Sequence, residues 1–273
     1  MKNKEIIITK KNYSNNVKQE WTRLVKDPYH ELEFSTTLYF LKKYLPKRGL
    51  ILDAGGGPGR YTIELAKLGY DIVLLDLVEE NLEFARKQIK KSKVEGKVKQ
   101  IIQGSITDLS EFSNNTFDAV ICLGGPLSHN TEEQRQKAVS ELVRVSKKNS
   151  NIFTSVMGKY AVLLNTPSGW PEEVELKNFY NIIENGDDYR WRGTGYCHFF
   201  TSSELEDIFL REKVKIIDKV GLEGLNIDGK VINKFARNFP KAWKNWLDIH
   251  IKICTESFVV DSSSHILIIT KKL

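Results

Sequence analysis

Residues 51–61 read Ile51-Leu52-Asp53-Ala54-Gly55-Gly56-Gly57-Pro58-Gly59-Arg60-Tyr61, an apolar run closed by an aspartate and followed by four glycines. The apolar residues at 49–54 predict a short buried strand, and the pattern at 61–68 predicts a helix. The glycines therefore occupy the turn from strand to helix, where an α/β sheet meets its ligand. Glycine there permits positive φ and removes side chains that would hold a ligand off the backbone.

Outward from this loop the chain alternates. Strands are predicted at 71–77 (DIVLLDL), 98–103, 117–123 (FDAVICL), 151–157, 214–220 and 265–270 (HILIIT), and helices at 79–92, 131–146, 201–211 and 240–254. Such alternation implies right-handed crossovers and a mostly parallel sheet covered on both faces. The unbroken apolar character of DIVLLDL and FDAVICL suits strands buried on both sides. Ahead of the loop, residues 1–15 are polar and basic and read as a mobile arm. Apolar residues at helical spacing between 17 and 44 (Trp21, Leu24, Leu32, Phe34, Leu38, Leu41) predict one or two amphipathic helices. The alternation breaks after Gly158, and 159–200 carries Tyr160, Trp170, Phe179, Tyr180, Tyr189, Trp191, Tyr196, Phe199 and Phe200. The expected organisation is an arm with lid helices over 1–45 and a main domain over 46–273, with cap insertions at about 159–200 and 223–256.

Bulk properties narrow the classes. The 273 residues are 41% hydrophobic and 28% charged, which fits a globular protein with a real core. The formal charge of +6 is concentrated in the N-terminal tail and at 86–99, where it reads as a solvated helix face. Aromatics do not interleave with those lysines as a base-stacking platform requires. No run approaches 18 apolar residues, and the start lacks a signal-peptide pattern, so no membrane span is expected and cytoplasmic residence is. Cys122, Cys197 and Cys254 are far apart, with no CxxC, so neither disulfide nor structural metal is expected. Cys122, inside AVICL, reads as a small buried hydrophobe.

The loop's ligand follows partly by elimination. GxGxxG fails in every frame, since the sixth position from Gly55 is Arg60 and from Gly57 is Thr62, and no GK[ST] closes a P-loop. What remains, D-x-G-x-G-x-G, resembles the first motif of class I S-adenosylmethionine-dependent methyltransferases. The resemblance is good over about 35–157 and extends more weakly through HFFTSSELEDIF and SSSHILIITKK. It implies a Rossmann-like, seven-stranded, mostly parallel doubly wound sheet of order 3-2-1-4-5-7-6. It also implies S-adenosylmethionine as cofactor, S-adenosylhomocysteine as product, and no metal. The loop residues Asp53, Ala54, Gly55, Gly56, Gly57 and Gly59, with Tyr61, would hold the methionyl group. Asp76, ending the second strand, has two oxygens for both ribose hydroxyls. Leu77 would then flank the adenine. Ser105 stands where such enzymes often carry an acid for the adenine amino group, leaving Ser105 Oγ or the Ile106 amide to meet it. Leu123 and Gly124, ending the fourth strand, would line the transferred methyl.

Methyl transfer from a sulfonium needs alignment and exclusion of water more than a dedicated catalyst. A hydroxyl or thiol acceptor gains from a base. His129, just beyond the fourth strand, is the first candidate, and His198 the second. GGPLSH stands where nucleic-acid N-methyltransferases place [DN]-P-P-[YF], and neither a Pro-Cys nucleophile nor a catechol-type magnesium cluster is present. The aromatics of 159–200, Trp21, Tyr29 and His30, and a helix bearing Trp243 and Trp246 would form a lid suited to a small organic acceptor. The alternatives are a methyltransferase acting on RNA or protein, and a non-catalytic S-adenosylmethionine-binding protein. A nicotinamide-dependent reductase is disfavoured by the failed fingerprint.

Overall fold

The apolar runs pair into one sheet: β1 (Leu50–Ala54), β2 (Asp71–Asp76), β3 (Val98–Gln103), β4 (Phe117–Cys122), β5 (Ser146–Met157), β6 (Val214–Gly221) and β7 (His265–Lys272). This is a computed structural model and describes residues 2–177, 179–189, 195–225 and 227–273, without the side chains of residues 2–6. The order is β3-β2-β1-β4-β5-β7-β6, with β7 antiparallel to both neighbours and the other pairs parallel. The expected order and fold class are thus present.

Alternation along the central strands fills two cores. Leu52, Val73, Leu75, Val120 and Ile152 face one side, against α6 (Glu132–Val145) and α9 (Ser202–Leu210). Ile51, Ile72, Leu74, Ile121 and Phe153 face the other, against α3 (Pro28–Tyr44), α4 (Arg60–Lys67) and α5 (Glu79–Lys91). The crossovers from β1 and β2 thus cover one face, and that from β4 covers the other. The sheet's topological switch lies between β1 and β4, and it opens a crevice at their carboxyl ends.

The N-terminal arm departs from expectation. It forms α1 (Lys2–Asn15), followed by α2 (Val17–Arg23), and α1 packs against α5. A polar helix of this kind is held by tertiary contacts rather than by its own pattern. α3 starts in the ordinary way, with Pro28 in the first turn and the Asp27 carboxylate accepting from the His30 amide at 3.1 Å.

Beyond β5, α7 (Lys159–Gly169) and α8 (Phe179–Asn185) precede a short ladder joining Asp187–Asp188 to Cys197–His198. Val162, Phe179, Ile182, Cys197 and Phe199 form a satellite core there, while Tyr160, Tyr180 and Tyr189 are exposed. Trp191 lies outside the described residues. The later helices are α10 (Gly229–Asn238), α11 (Pro240–Ile253) and α12 (Ser257–Ser262). Trp243 and Trp246 of α11 pack edge-on to Phe235, at 6.1 and 6.0 Å between ring centroids. Cys122, Cys197 and Cys254 are buried free thiols. Among the described residues no helix is long and apolar enough to cross a membrane.

Candidate functional site

The glycine loop is wrapped around Asp76. Asp76 Oδ2 accepts the Gly57 amide at 2.8 Å, and Oδ1 accepts the Val78 amide at 2.9 Å and Asn81 Nδ2 at 3.2 Å. Gly57 has φ of 55°, with nothing but Asn81 Nδ2, at 3.9 Å, near the place of a Cβ. At Gly55 a Cβ would come within 2.6 Å of Pro126, so that glycine is required by close packing. Burial raises the Asp76 pKa, although its three hydrogen bonds oppose the shift.

The loop forms one wall of a cavity of about 470 Å³, within the range of small-molecule sites. Of the expected residues, Gly55, Gly56, Gly57, Tyr61, Asp76, Leu77, Ser105, Ile106, Leu123, Gly124 and His129 line it. Asp53, Ala54, Gly59 and His198 do not. Asp53 and Ala54 are fully buried in β1 beneath the loop, where Asp53 Oδ2 accepts the Thr62 hydroxyl at 2.6 Å. Gly59 caps α4 with φ of 82° and serves the turn rather than the cavity. His198 is buried between two carboxylates, Nδ1 at 2.6 Å from Asp187 and Nε2 at 2.6 Å from Glu204, which occupies both ring nitrogens. Its role here is to tie the cap to α9.

Several groups in the cavity were not signalled by motif. Arg60 stacks on Trp21, 3.7 Å from the ring centroid, and donates to the Trp21 carbonyl. Its Nε is buried without an acceptor, and Asn81 Oδ1 is buried without a donor. Such orphaned groups are costly unless a ligand completes them. Asp108, three residues beyond Ser105, also lines the cavity. Ser105 Oγ itself is engaged by Thr107, whose hydroxyl lies at 2.8 Å. The donor and acceptor set fits a methionyl nucleoside: a buried carboxylate and amide for ribose, an unpaired guanidinium N–H for a carboxylate, and apolar Leu77 and Ile106 for a base.

A second cavity, of about 460 Å³, adjoins the first and shares Tyr13, Glu20, Arg23 and Gly124 with it. Its walls include Tyr29, His30, Glu33, Trp170, Glu223 and His265. Tyr29 and His30, expected in the lid, line this second cavity. Of the other aromatics expected in the lid, Trp170 is the one from the described part of 159–200 in this lining, and Trp21, Trp243 and Trp246 are absent from both. Beneath the second cavity, Arg23 donates to both Glu33 oxygens at 2.5 and 3.1 Å, and His265 Nδ1 lies 2.5 Å from Glu223 and 3.7 Å from Glu33. Glu33, Glu223 and His265 are close enough to hold a metal, but Arg23 already supplies a cation to this cluster.

His129 joins α1 to the fourth strand. Its Nδ1 meets the Tyr196 carbonyl at 3.1 Å, and its Nε2 meets the Tyr13 hydroxyl at 2.8 Å. A carbonyl only accepts, so Nδ1 carries the proton. Burial lowers the His129 pKa and raises that of Tyr13. The imidazole is therefore neutral, with Nε2 accepting from the phenol. Tyr13 was hidden in the stretch read as an arm, and a lone tyrosine in a polar segment carries no signal of this role.

Comparison with known proteins places this geometry. A family model described as a methyltransferase domain matches residues 51–149. The chain is 31% identical over 156 residues to a ribosomal protein L11 methyltransferase of Thermotoga maritima, 57% of this chain and 52% of that one. It is 28% identical over 133 residues to a glycine/sarcosine N-methyltransferase of Aphanothece halophytica, 47% of this chain and 48% of the relative. The chain thus spans about half the length of the curated relatives it matches. In fold it is similar to a Burkholderia thailandensis 1,6-didemethyltoxoflavin-N1-methyltransferase, solved with its acceptor and S-adenosylhomocysteine. The TM-score is 0.60 and the identity 12%, with 97% of this chain and 88% of that one covered.

Proposed function

We propose that this chain, whose residues 51–149 match a methyltransferase domain, is a class I S-adenosylmethionine-dependent methyltransferase and that it methylates a small organic acceptor. The observation that carries the acceptor reading is the second cavity, which opens from the first at Gly124 and is roofed by α1 and α2. A half-open concave space of about 460 Å³, continuous with the first, is of the size that suits a small molecule.

S-adenosylmethionine would bring an electrophilic methyl on an already activated leaving group. The chain's part is to bind, orient and exclude water. Asp76 and the unpartnered Asn81 Oδ1 would take the ribose hydroxyls. Arg60 Nε–H would take the methionyl carboxylate. Leu77 and Ile106 would flank the adenine, and Asp108 is placed to accept its amino group in the stead of Ser105. Asp53 would act from beneath, by holding the loop through Thr62. His129 would not touch the acceptor. Its lone pair at Nε2 holds the Tyr13 proton, so Tyr13 stands between the imidazole and the junction.

Calorimetry with S-adenosylhomocysteine tests the reading. We expect micromolar binding that weakens at least tenfold in Asp76→Ala, which removes a buried hydrogen-bond acceptor. Binding of NADH in its place, or of no adenosyl ligand at all, would overturn the assignment.

A further inference from the structure

We propose that the methyl acceptor is an amine, whose nitrogen is held between Tyr13 Oη and the Glu20 carboxylate where the two cavities meet. The inference rests on the methyl-transfer reading and adds the acceptor atom to it.

The four residues that line both cavities are Tyr13, Glu20, Arg23 and Gly124, and two of them present hydrogen-bond acceptors. Tyr13 gives its only proton to His129 Nε2, so toward the cavity its oxygen accepts. The Gly124 amide donates to Ser155 Oγ at 2.8 Å. Arg23 gives one N–H of each terminal nitrogen to Glu33, which leaves a second N–H on each, and stands with Nε 3.5 Å from Glu20 Oε2. That long contact uses one of about four lone-pair sites on the Glu20 carboxylate. The junction therefore offers an entering group two acceptors, Tyr13 Oη, which is neutral, and the anionic Glu20 carboxylate, beside the remaining N–H groups of Arg23.

Such a pair selects for the number of protons on the nucleophile. A carbon nucleophile brings none, and a thiol or hydroxyl brings one, leaving one acceptor unmatched. An amine brings at least two, and as an ammonium it also carries the charge that complements Glu20. A carboxylate acceptor would meet the Glu20 charge and would bring no proton to either acceptor. Burial raises the Glu20 pKa, with Glu33 adding to the rise and Arg23 opposing it, so this carboxylate is suited to take a proton.

The step balances. The ammonium passes one proton to Glu20 and exposes its lone pair. That pair forms the N–CH3 bond as the S–CH3 bond breaks, and sulfur keeps the electron pair. The product leaves as a methylated ammonium, and Glu20 returns its proton to solvent.

The test is binding to the full chain saturated with S-adenosylhomocysteine. The probes are propylamine, benzylamine and phenethylamine, with the alcohols and carboxylates of the same skeletons. At least one amine is expected to bind about tenfold tighter than its alcohol, and its carboxylate more weakly still. Glu20→Gln and Tyr13→Phe should each cut that preference by at least fivefold, with S-adenosylhomocysteine binding showing that the variants are folded. Glu20→Asp should restore part of it. Binding of no amine, alcohols or carboxylates binding as well as amines, or a preference that survives both substitutions would overturn the inference. Failure of S-adenosylhomocysteine to bind the unaltered chain would instead remove the reading beneath it.

Discussion

Asp53 shows how a residue can belong to a motif and still lie outside the lining of the cavity that the motif walls. Its carboxylate is fully buried beneath the glycine loop, with Oδ2 bonded to Thr62 and Oδ1 without a partner. Burial pushes its pKa up to about 7, partly offset by the Thr62 hydroxyl and reinforced by the charge of Asp76. The folded value lies above the ordinary 3.8, so the contribution to stability is whole below about pH 4 and is lost as pH rises through 7. Asp53→Asn keeps the shape and removes the titration. Thermal unfolding should find the variant as stable as the native chain near pH 4 and more stable by about 1 kcal/mol or more at pH 8, one pKa unit being worth about 1.4. A variant that is uniformly less stable across that range would mean that Asp53 is ionised and paired. The sequence placed this residue correctly at the end of β1, but strand alternation alone could not say that its carboxylate points below the loop.

At the scale of elements, the N-terminal helices are locked to the sheet by charge. Glu33 of α3 binds Arg23 of α2, and His265 of β7 lies between Glu33 and Glu223. Burial opposes both shifts, yet Arg23 and His265 hold the Glu33 pKa below its ordinary 4.5, and Glu33 and Glu223 hold that of His265 above 6.5. A depressed carboxylate stabilises above 4.5 and loses that contribution as pH falls through its folded value. A raised histidine stabilises below 6.5 and loses it as pH rises through its own. The network is therefore strongest between those limits. His265→Gln should lower stability most near pH 5.5, by about 1–2 kcal/mol, the worth of a hydrogen bond between charged groups. The gap should shrink by pH 9, and a gap independent of pH would show that His265 is neutral in the native state.

None of this network was legible beforehand, because its members lie as far apart in the chain as Arg23 and His265. The seven strands were legible, because continuous apolar runs ending in turn residues have few other solutions. The exception is the start of β5. It begins at Ser146, five residues before the apolar run, because Lys147, Lys148 and Asn149 conceal a strand that still pairs Ser146 with Phe117. The cofactor loop was readable for the same local reason. The second cavity was not, since it is assembled from α1, α2, α3, α7, the segment after β6 and the start of β7, none of which carries a ligand-binding motif. His198 misled because histidine near an aromatic run signals chemistry and structural pairing equally well.

For the whole molecule, α1 is the element on which substrate enclosure turns. It supplies Thr9 and Tyr13 to the cofactor cavity and Tyr13 to its neighbour, yet among the described residues neither of the two main cores contains a side chain from 7–15. Its removal should therefore leave the sheet and its covering helices intact, with a cooperative unfolding transition within a few degrees of the full chain. Function should separate from folding. The ribose contacts at Asp76 and Asn81 lie on β2 and α5, so S-adenosylhomocysteine should still bind, weakened by about tenfold or less through lost enclosure. Methyl transfer should fall by about a hundredfold or more, because water then reaches the junction and Tyr13 no longer orients the nucleophile. Hydrogen exchange on the full chain gives the complementary view: amides of 7–15 and of 57–61 should gain protection together when S-adenosylhomocysteine is added. A truncated chain that turns over at the full rate, or an α1 whose exchange ignores the ligand, would show that the cavity closes by some other element. The loop that decides the fold would then bind the cofactor without the help of the helix that covers it.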